Sequence, residues 1–146
     1  NTEDAKKLLE RERRGVLAVH GDNGYPFAIP VNYYYDVQAQ KIYFHGAKAG
    51  HKVDALKKDD KVCFTVYGNE KHEEGDWAPY LQSVVIFGRC HLIDDLDKSI
   101  EKVRKLATKY YPNKEEVEMG IQKSIQATQL YEIEIEHMTG KQIQEK

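Results

Sequence analysis

Val16-Leu17-Ala18-Val19-His20-Gly21-Asp22-Asn23-Gly24-Tyr25-Pro26-Phe27-Ala28-Ile29-Pro30-Val31-Asn32-Tyr33-Tyr34-Tyr35 is the stretch on which the fold turns. Val16 to His20 reads as a first strand. The cluster of turn formers from Gly21 to Gly24 then separates two apolar runs, a strong hairpin signal. The second strand, about Pro26 to Tyr35, contains Pro30. Proline has no N–H to give a sheet ladder, so Pro30 predicts an edge position, a bulge or a bend. An antiparallel pair with one irregular strand is the seed of the architecture.

Outward from this hairpin, a turn at Asp36 to Gln40 leads to a third strand, Lys41-Ile42-Tyr43-Phe44-His45. Ala49 to Lys58 reads as a short helix with Val53 and Leu56 on one side. Lys61 to Tyr67 is a fourth strand, rich in β-branched and aromatic residues. Gly68 to Ala78 is polar and loop-like. Tyr80 to Ile93 is a long strand, apolar on both faces, and so expected to be central and covered on both sides. Asp94, Asp95 and Asp97 open a helix whose apolar positions Leu96, Ile100, Val103, Ala107 and Tyr110 recur at helical spacing until Tyr111-Pro112-Asn113 stops it. A short helix follows near Lys114 to Lys123. The last strand, about Ala127 to His137, alternates Tyr131, Ile133 and Ile135 with Glu132, Glu134 and Glu136, which predicts one exposed face. At the other end, Thr2 caps a helix with Ala5, Leu8 and Leu9 as its apolar stripe. The sum is mainly β: a six-stranded antiparallel barrel with peripheral helices, in one domain spanning residues 1–146.

Composition narrows the function classes. The 146 residues carry 22 basic and 24 acidic side chains, a net charge of −2. That balance lacks the basic footprint of a nucleic-acid binder. Glu10 to Arg14 alternates in sign and Lys57-Lys58 is followed by Asp59-Asp60, patterns of solvated helix faces. No run of about 18 apolar residues exists, so no membrane-spanning helix is expected. Cys63 and Cys90 both lie in strand-like runs and make neither a disulfide framework nor a zinc site. With no apolar stretch near Asn1, a reducing cytoplasm is the expected setting.

Two segments can carry chemistry. His45-Gly46-Ala47-Lys48-Ala49-Gly50-His51-Lys52 joins a strand end to a helix start. Free N–H groups at a helix N-terminus, with cations beside them, suit a phosphate; the same residues also describe an ordinary basic loop. Ile29 to Tyr35 offers an irregular aromatic strand to a planar heterocycle, or else a core strand with tyrosine hydroxyls at the surface. His20, His72, His91 and His137 have no metal-ligand spacing, and no metal is expected. Ser83 lacks a nucleophile-elbow setting.

Taken together, five blocks resemble the pyridoxamine 5′-phosphate oxidase-like flavin-binding split barrels, in particular their nitroimidazole-resistance subgroup. They are Gly24 to Tyr33, Ile42 to Ala47, Gly50-His51-Lys52, Lys61 to Phe64 and Gln82 to Arg89. The resemblance implies FMN, with FAD as the alternative, bound at the interface of a homodimer. It implies that Ala28, Ile29, Pro30, Val31, Asn32 and Tyr33 line the isoalloxazine ring, with Phe44 and His45 alongside. His51 and Lys52 would hold the phosphate, where the oxidase proper has Arg-Lys, and Ser83 would reach the flavin from the partner chain. His45 is the one candidate for a catalytic role. The oxidases that act on pyridoxamine phosphate have an arginine-rich C-terminal segment. Here no arginine follows Arg104, which argues against that substrate.

The function expected is a flavin-dependent oxidoreductase that reduces nitro compounds or another small acceptor. A flavin-binding or storage protein without a substrate is the alternative. A nucleic-acid-binding barrel that stacks bases on Tyr33, Tyr34 and Tyr35 is disfavoured by the net charge. A small barrel with a long apolar strand needs cover for it, and a symmetric partner is the commonest source.

Overall fold

The computed structural model describes residues 2–75 and 80–143. Helix α1 (Thr2–Arg11) precedes the hairpin of β1 (Arg14–His20) and β2 (Pro26–Asn32). Then come β3 (Tyr34–Asp36), β4 (Lys41–Ala47), α2 (His51–Lys58), β5 (Lys61–Lys71) and β6 (Tyr80–Ile93). Helices α3 (Leu96–Tyr110) and α4 (Lys114–Ser124) lead to the last strand, β7 (Thr128–Ile143). The stretch read as one strand from Pro26 to Tyr35 is two, so the antiparallel sheet has seven strands, in the order β2-β1-β5-β6-β7-β4-β3. Strands β2 and β3 are consecutive in sequence yet lie on opposite edges. The sheet curls without closing, a split barrel. Pro30 sits on the edge strand β2 opposite Val16, where its missing N–H costs no ladder bond.

The change of edge happens at Tyr33. Its ring is fully buried and its hydroxyl donates to the Leu9 carbonyl at 2.7 Å. Its N–H donates to the Tyr110 hydroxyl at 2.9 Å, and its carbonyl accepts from Lys109 Nζ at 3.2 Å and from the Tyr110 hydroxyl at 2.8 Å. Backbone groups that leave the ladder are thereby satisfied from α3.

Inside the barrel lie Leu17, Val19, Ile42, Phe44, Phe64, Val66, Val84, Ile86, Tyr131 and Ile133. Helix α1 inserts Ala5, Leu8 and Leu9 into this core, beside the Ser83–Val84 and Gly140 end of the sheet. Helix α2 inserts Val53, Ala55 and Leu56 and adjoins the end bearing Cys90 and Gln129. A kink in the β6–β7 register between Phe87 and Gly88 helps the sheet curl. Gly88 is required there, since a Cβ would stand 2.1 Å from the Glu134 carbonyl oxygen.

Helices α3 and α4 cover the outer face over β4 and β7, with Tyr43, Val103, Val117, Ile121 and Leu130 as a second core. Asp95 caps α3 through Lys98 N–H (3.1 Å), and Asn113 caps α4 through Glu115 and Glu116 N–H. Glu134 and Glu136 are exposed, as the alternation of β7 predicts, but the cover corrects that reading at Glu132. Glu132 is buried under α3, where its carboxylate meets Lys98 Nζ at 2.7 Å, Lys41 Nζ at 3.2 Å and the Tyr43 hydroxyl at 2.9 Å. The expectation that β6 is covered on both sides also changes. The strand is central, but Phe87 on its outer face is 53% exposed. That face continues across β5 and β1 through Cys63, Thr65, Ala18 and Val16, all half-buried. The polar segment read from Gly68 to Ala78 begins as strand, β5 running to Lys71. Residues 76–79 and the chain end at 144–146 lie outside the described residues.

Candidate functional site

Strand β4 runs to Ala47, Lys48 to Gly50 make the turn, and Gly50, at φ 132°, starts α2 in a conformation that favours glycine. No side chain caps the first turn of α2, so its leading N–H groups are unsatisfied by side chains. His51 leans back on the hairpin. Its ring meets Phe27 edge-on at 4.6 Å, and Nδ1 stands 3.5 Å from the Asp22 carboxylate.

Lys52 takes the opposite course, into the barrel end. Its Nζ lies 4.7 Å from the centroid of Tyr131 and 5.4 Å from that of Phe44, two rings stacked at 4.7 Å with 3° between planes. Gly46 makes the room, since a Cβ there would come within 2.9 Å of that nitrogen. No carboxylate or carbonyl among the described residues accepts from Lys52. Ring faces alone hold the ammonium, a weak arrangement for a half-buried charge. Burial lowers the Lys52 pKa, with a smaller opposing influence from Cys90. The Cys90 thiol is itself pushed up to about 12, chiefly by burial.

His45 is accessible at the end of β4, on the face opposite Phe44 and in common with Tyr43. Crowding by surrounding atoms strips part of its hydration, and this, together with the Lys52 charge, lowers its pKa. The imidazole is held neutral to lower pH than an ordinary histidine.

Strand β2 divides by alternation. Ala28, Pro30 and Asn32 face outward and are exposed, whereas Ile29 and Val31 are half-buried against the core. Tyr33 and Phe44 are core side chains with no exposed surface. Ser83 pairs with Tyr67 on the outer side of β5 and β6. Val62 lies alongside Val19, which pairs with Phe27, the contact of His51. From Val62 to Tyr67 is five strand residues, about 17 Å. One chain therefore brings His51, Lys52, Phe44 and the start of β2 together and leaves Ser83 at the other end. Phe27 and Tyr131 escaped the sequence reading as site residues. Tyr131 pairs with Phe44 across 87 positions of sequence, and only strand register reveals that. Among the described residues no three His, Cys, Asp or Glu side chains gather as a metal site. No helix among them is long and apolar enough to cross a membrane.

An open seven-stranded barrel with a glycine-flanked, lysine-bearing strand-to-helix turn defines the split-barrel class. A family model described as pyridoxamine 5′-phosphate oxidase matches residues 1–142, and the chain belongs to that family. No curated protein matches the sequence significantly. Among solved structures, one similar fold is a protein provisionally described as a 5-nitroimidazole antibiotic resistance protein, from Bacteroides thetaiotaomicron. It has a TM-score of 0.81 at 15% identity, over 97% of this chain and 84% of that one. A protein from Mesorhizobium loti described as FAD-binding has a TM-score of 0.68 at 22% identity, over 98% and 95%. A protein from Mycobacterium smegmatis described as binding FAD and haem has a TM-score of 0.78 at 17% identity, over 100% and 72%.

Proposed function

We propose that the protein is a flavoprotein, binding FMN and acting as an oxidoreductase on a nitro compound or another small acceptor. The observation that carries this reading is Lys52, an ammonium without an acidic partner, beside glycines and the uncapped start of α2. A phosphate supplies the missing counter-charge. His51 is the second phosphate contact, released from Asp22 when the ligand enters. Ala28, Pro30 and Asn32 offer the outward side of an edge strand to the isoalloxazine ring, and His45 stands near its rim. When bound, the flavin supplies two-electron redox chemistry, and the protein supplies position, exclusion of water and charge. The described FAD-binding relatives support a flavin and make FAD the alternative nucleotide.

The same reading makes the protein a homodimer, joined through the outer face bearing Val16, Ala18, Cys63 and Phe87. Such a pairing brings the partner's copy of the Ser83 end toward the flavin site. The cytoplasm, where Cys63 and Cys90 stay thiols, is the compartment proposed. The experiment is to purify the protein, record its visible spectrum, release the ligand by heat and weigh it by mass spectrometry. FMN at one per chain is expected. FAD corrects the nucleotide only, and a protein that takes up neither flavin on reconstitution overturns the reading.

A further inference from the structure

The alternating run Glu10 to Arg14, which reads in sequence as a solvated helix face, is one only at Glu10 and Arg11. Helix α1 stops at Arg11 and β1 starts at Arg14, so the run bends around a cavity of about 500 Å³. Arg11, Arg13 and Arg14 line it together with Glu12, Val16, Pro30 and Tyr67. Arg13 and Arg14 are exposed and have no carboxylate within ion-pair distance among the described residues. The Arg13 guanidinium lies over the Tyr110 ring, 6.0 Å from its centroid, and Arg11 pairs with its neighbour Glu12 at 3.5 Å. The Glu12 carboxyl is turned onto Gly68, where a Cβ would come within 2.4 Å of it. The cavity therefore keeps a positive balance of two. Its other walls are planar or apolar: the Tyr67 ring, 60% exposed, and Pro30.

Guanidinium groups beside an open aromatic ring match a phosphate-bearing aromatic ligand, bidentate on its oxygens and stacked on its base. The placement narrows the class. The cavity lies at the Arg14–Asn32 end of the β1–β2 hairpin, and His51 lies at the Val19–Phe27 end. Five strand residues, about 17 Å, separate the arginines from His51. Pro30 belongs both to this cavity and to the strand that lines the flavin in the reading above.

We propose that Arg11, Arg13, Arg14 and Tyr67 form the docking site for the electron donor, a reduced nicotinamide dinucleotide, with NADPH favoured over NADH by its additional phosphate. The inference rests on the flavin reading for its chemistry; its residues all belong to one chain, with Val16 and Tyr67 at the border of the proposed dimer face. With a flavin bound, the dihydropyridine would give up a hydride to it and become the aromatic nicotinamide cation, and one proton from solvent would complete the two-electron reduction.

The test is calorimetric titration of the full-length protein with NADP⁺, which binds without reacting. Wild type should bind NADP⁺ more tightly than NAD⁺, and less tightly as salt rises. The Arg13→Ala, Arg14→Ala double variant should lose about tenfold or more in affinity. Tyr67→Ala, which keeps every charge, should also weaken binding. Flavin content and oligomeric mass, measured on the same preparations, should not change in the Arg13→Ala, Arg14→Ala variant. The proposal is overturned by absence of NADP⁺ binding to wild type, by equal affinities in wild type and variants, or by inorganic pyrophosphate binding as tightly as NADP⁺. A protein without flavin that still binds NADP⁺ through these residues removes the flavin reading and leaves the nucleotide site standing.

Discussion

At the residue scale, two half-buried or buried charges show how context decides a role. Lys52 and Lys98 both project onto aromatic rings, but Lys98 also meets the Glu132 carboxylate at 2.7 Å and Lys52 meets no anion among the described residues. The lysine without an anion is the one that a ligand can recruit. A charge-assisted contact to phosphate contributes about 1.5–3 kcal/mol, so Lys52→Met should weaken FMN binding by about tenfold or more. Riboflavin, which has no phosphate, should bind both proteins alike in a fluorescence-quenching titration. Equal losses for the two ligands would make Lys52 a structural residue. Glu132 is the structural counterpart. Burial works to raise its pKa, but hydrogen bonds from Lys98, Tyr43 and Lys41 outweigh burial and leave it lowered. A carboxyl lowered in the folded state stabilises above its unfolded value of about 4.3, and that contribution is lost as pH falls through the folded value. Glu132→Gln should therefore cost about 3 kcal/mol in urea unfolding at neutral pH, and the difference from wild type should shrink in acid.

At the element scale, the joint between β2 and β3 is held by α3, over 70 positions away in sequence. Besides Tyr33, the Tyr110 hydroxyl contacts the Arg13 carbonyl, while Lys109 Nζ donates to the Glu12 carbonyl at 2.5 Å. The end of α3 thus ties the α1–β1 joint to the β2–β3 corner. Tyr110→Phe leaves the Tyr33 N–H and carbonyl short of a partner and should lower unfolding stability by about 1–3 kcal/mol in chemical denaturation, with α-helical circular dichroism unchanged. This joint also marks the limit of what the sequence shows. Strands β1, β4, β5 and β6 and helix α3 were legible because alternation, β-branched residues and helical spacing are local. Pro30 told of an edge. The corner at Tyr33 was not legible, because Asn32 fits the outward side of a strand as well as it fits a bend and the groups that turn the chain there are supplied by α3. For the same reason Glu132 passed as a surface residue: alternation gives the face, and only the packing of α3 buries it. Within the candidate site, the turn Gly46 to Lys52 was legible from residue types. The Phe44–Tyr131 stack beneath Lys52 depends on strand register.

At the scale of the whole molecule, the proposed homodimer would cover the outer face of β1, β5 and β6 and would bring the Ser83 end of one copy toward a flavin held at Lys52 of the other. Phe87 stands at the centre of that face, opposite Cys63 and stacked on His137 at 6.4 Å. Exposed aromatic surface on a face of small apolar neighbours is where a symmetric interface buries its anchors. Phe87→Asp places a carboxylate there and, in a two-fold arrangement, places two of them near each other in a region losing water. Within one chain the change is mild, because the side chain points away from the barrel core. Light scattering should give twice the 16.9 kDa chain mass for wild type and once that mass for the variant, with far-ultraviolet circular dichroism unchanged. If the flavin site is shared, the variant should lose bound flavin in parallel with dimer, and both should return together as protein concentration is raised. A monomeric variant that retains one flavin per chain would separate the two properties and confine the cofactor to a single barrel.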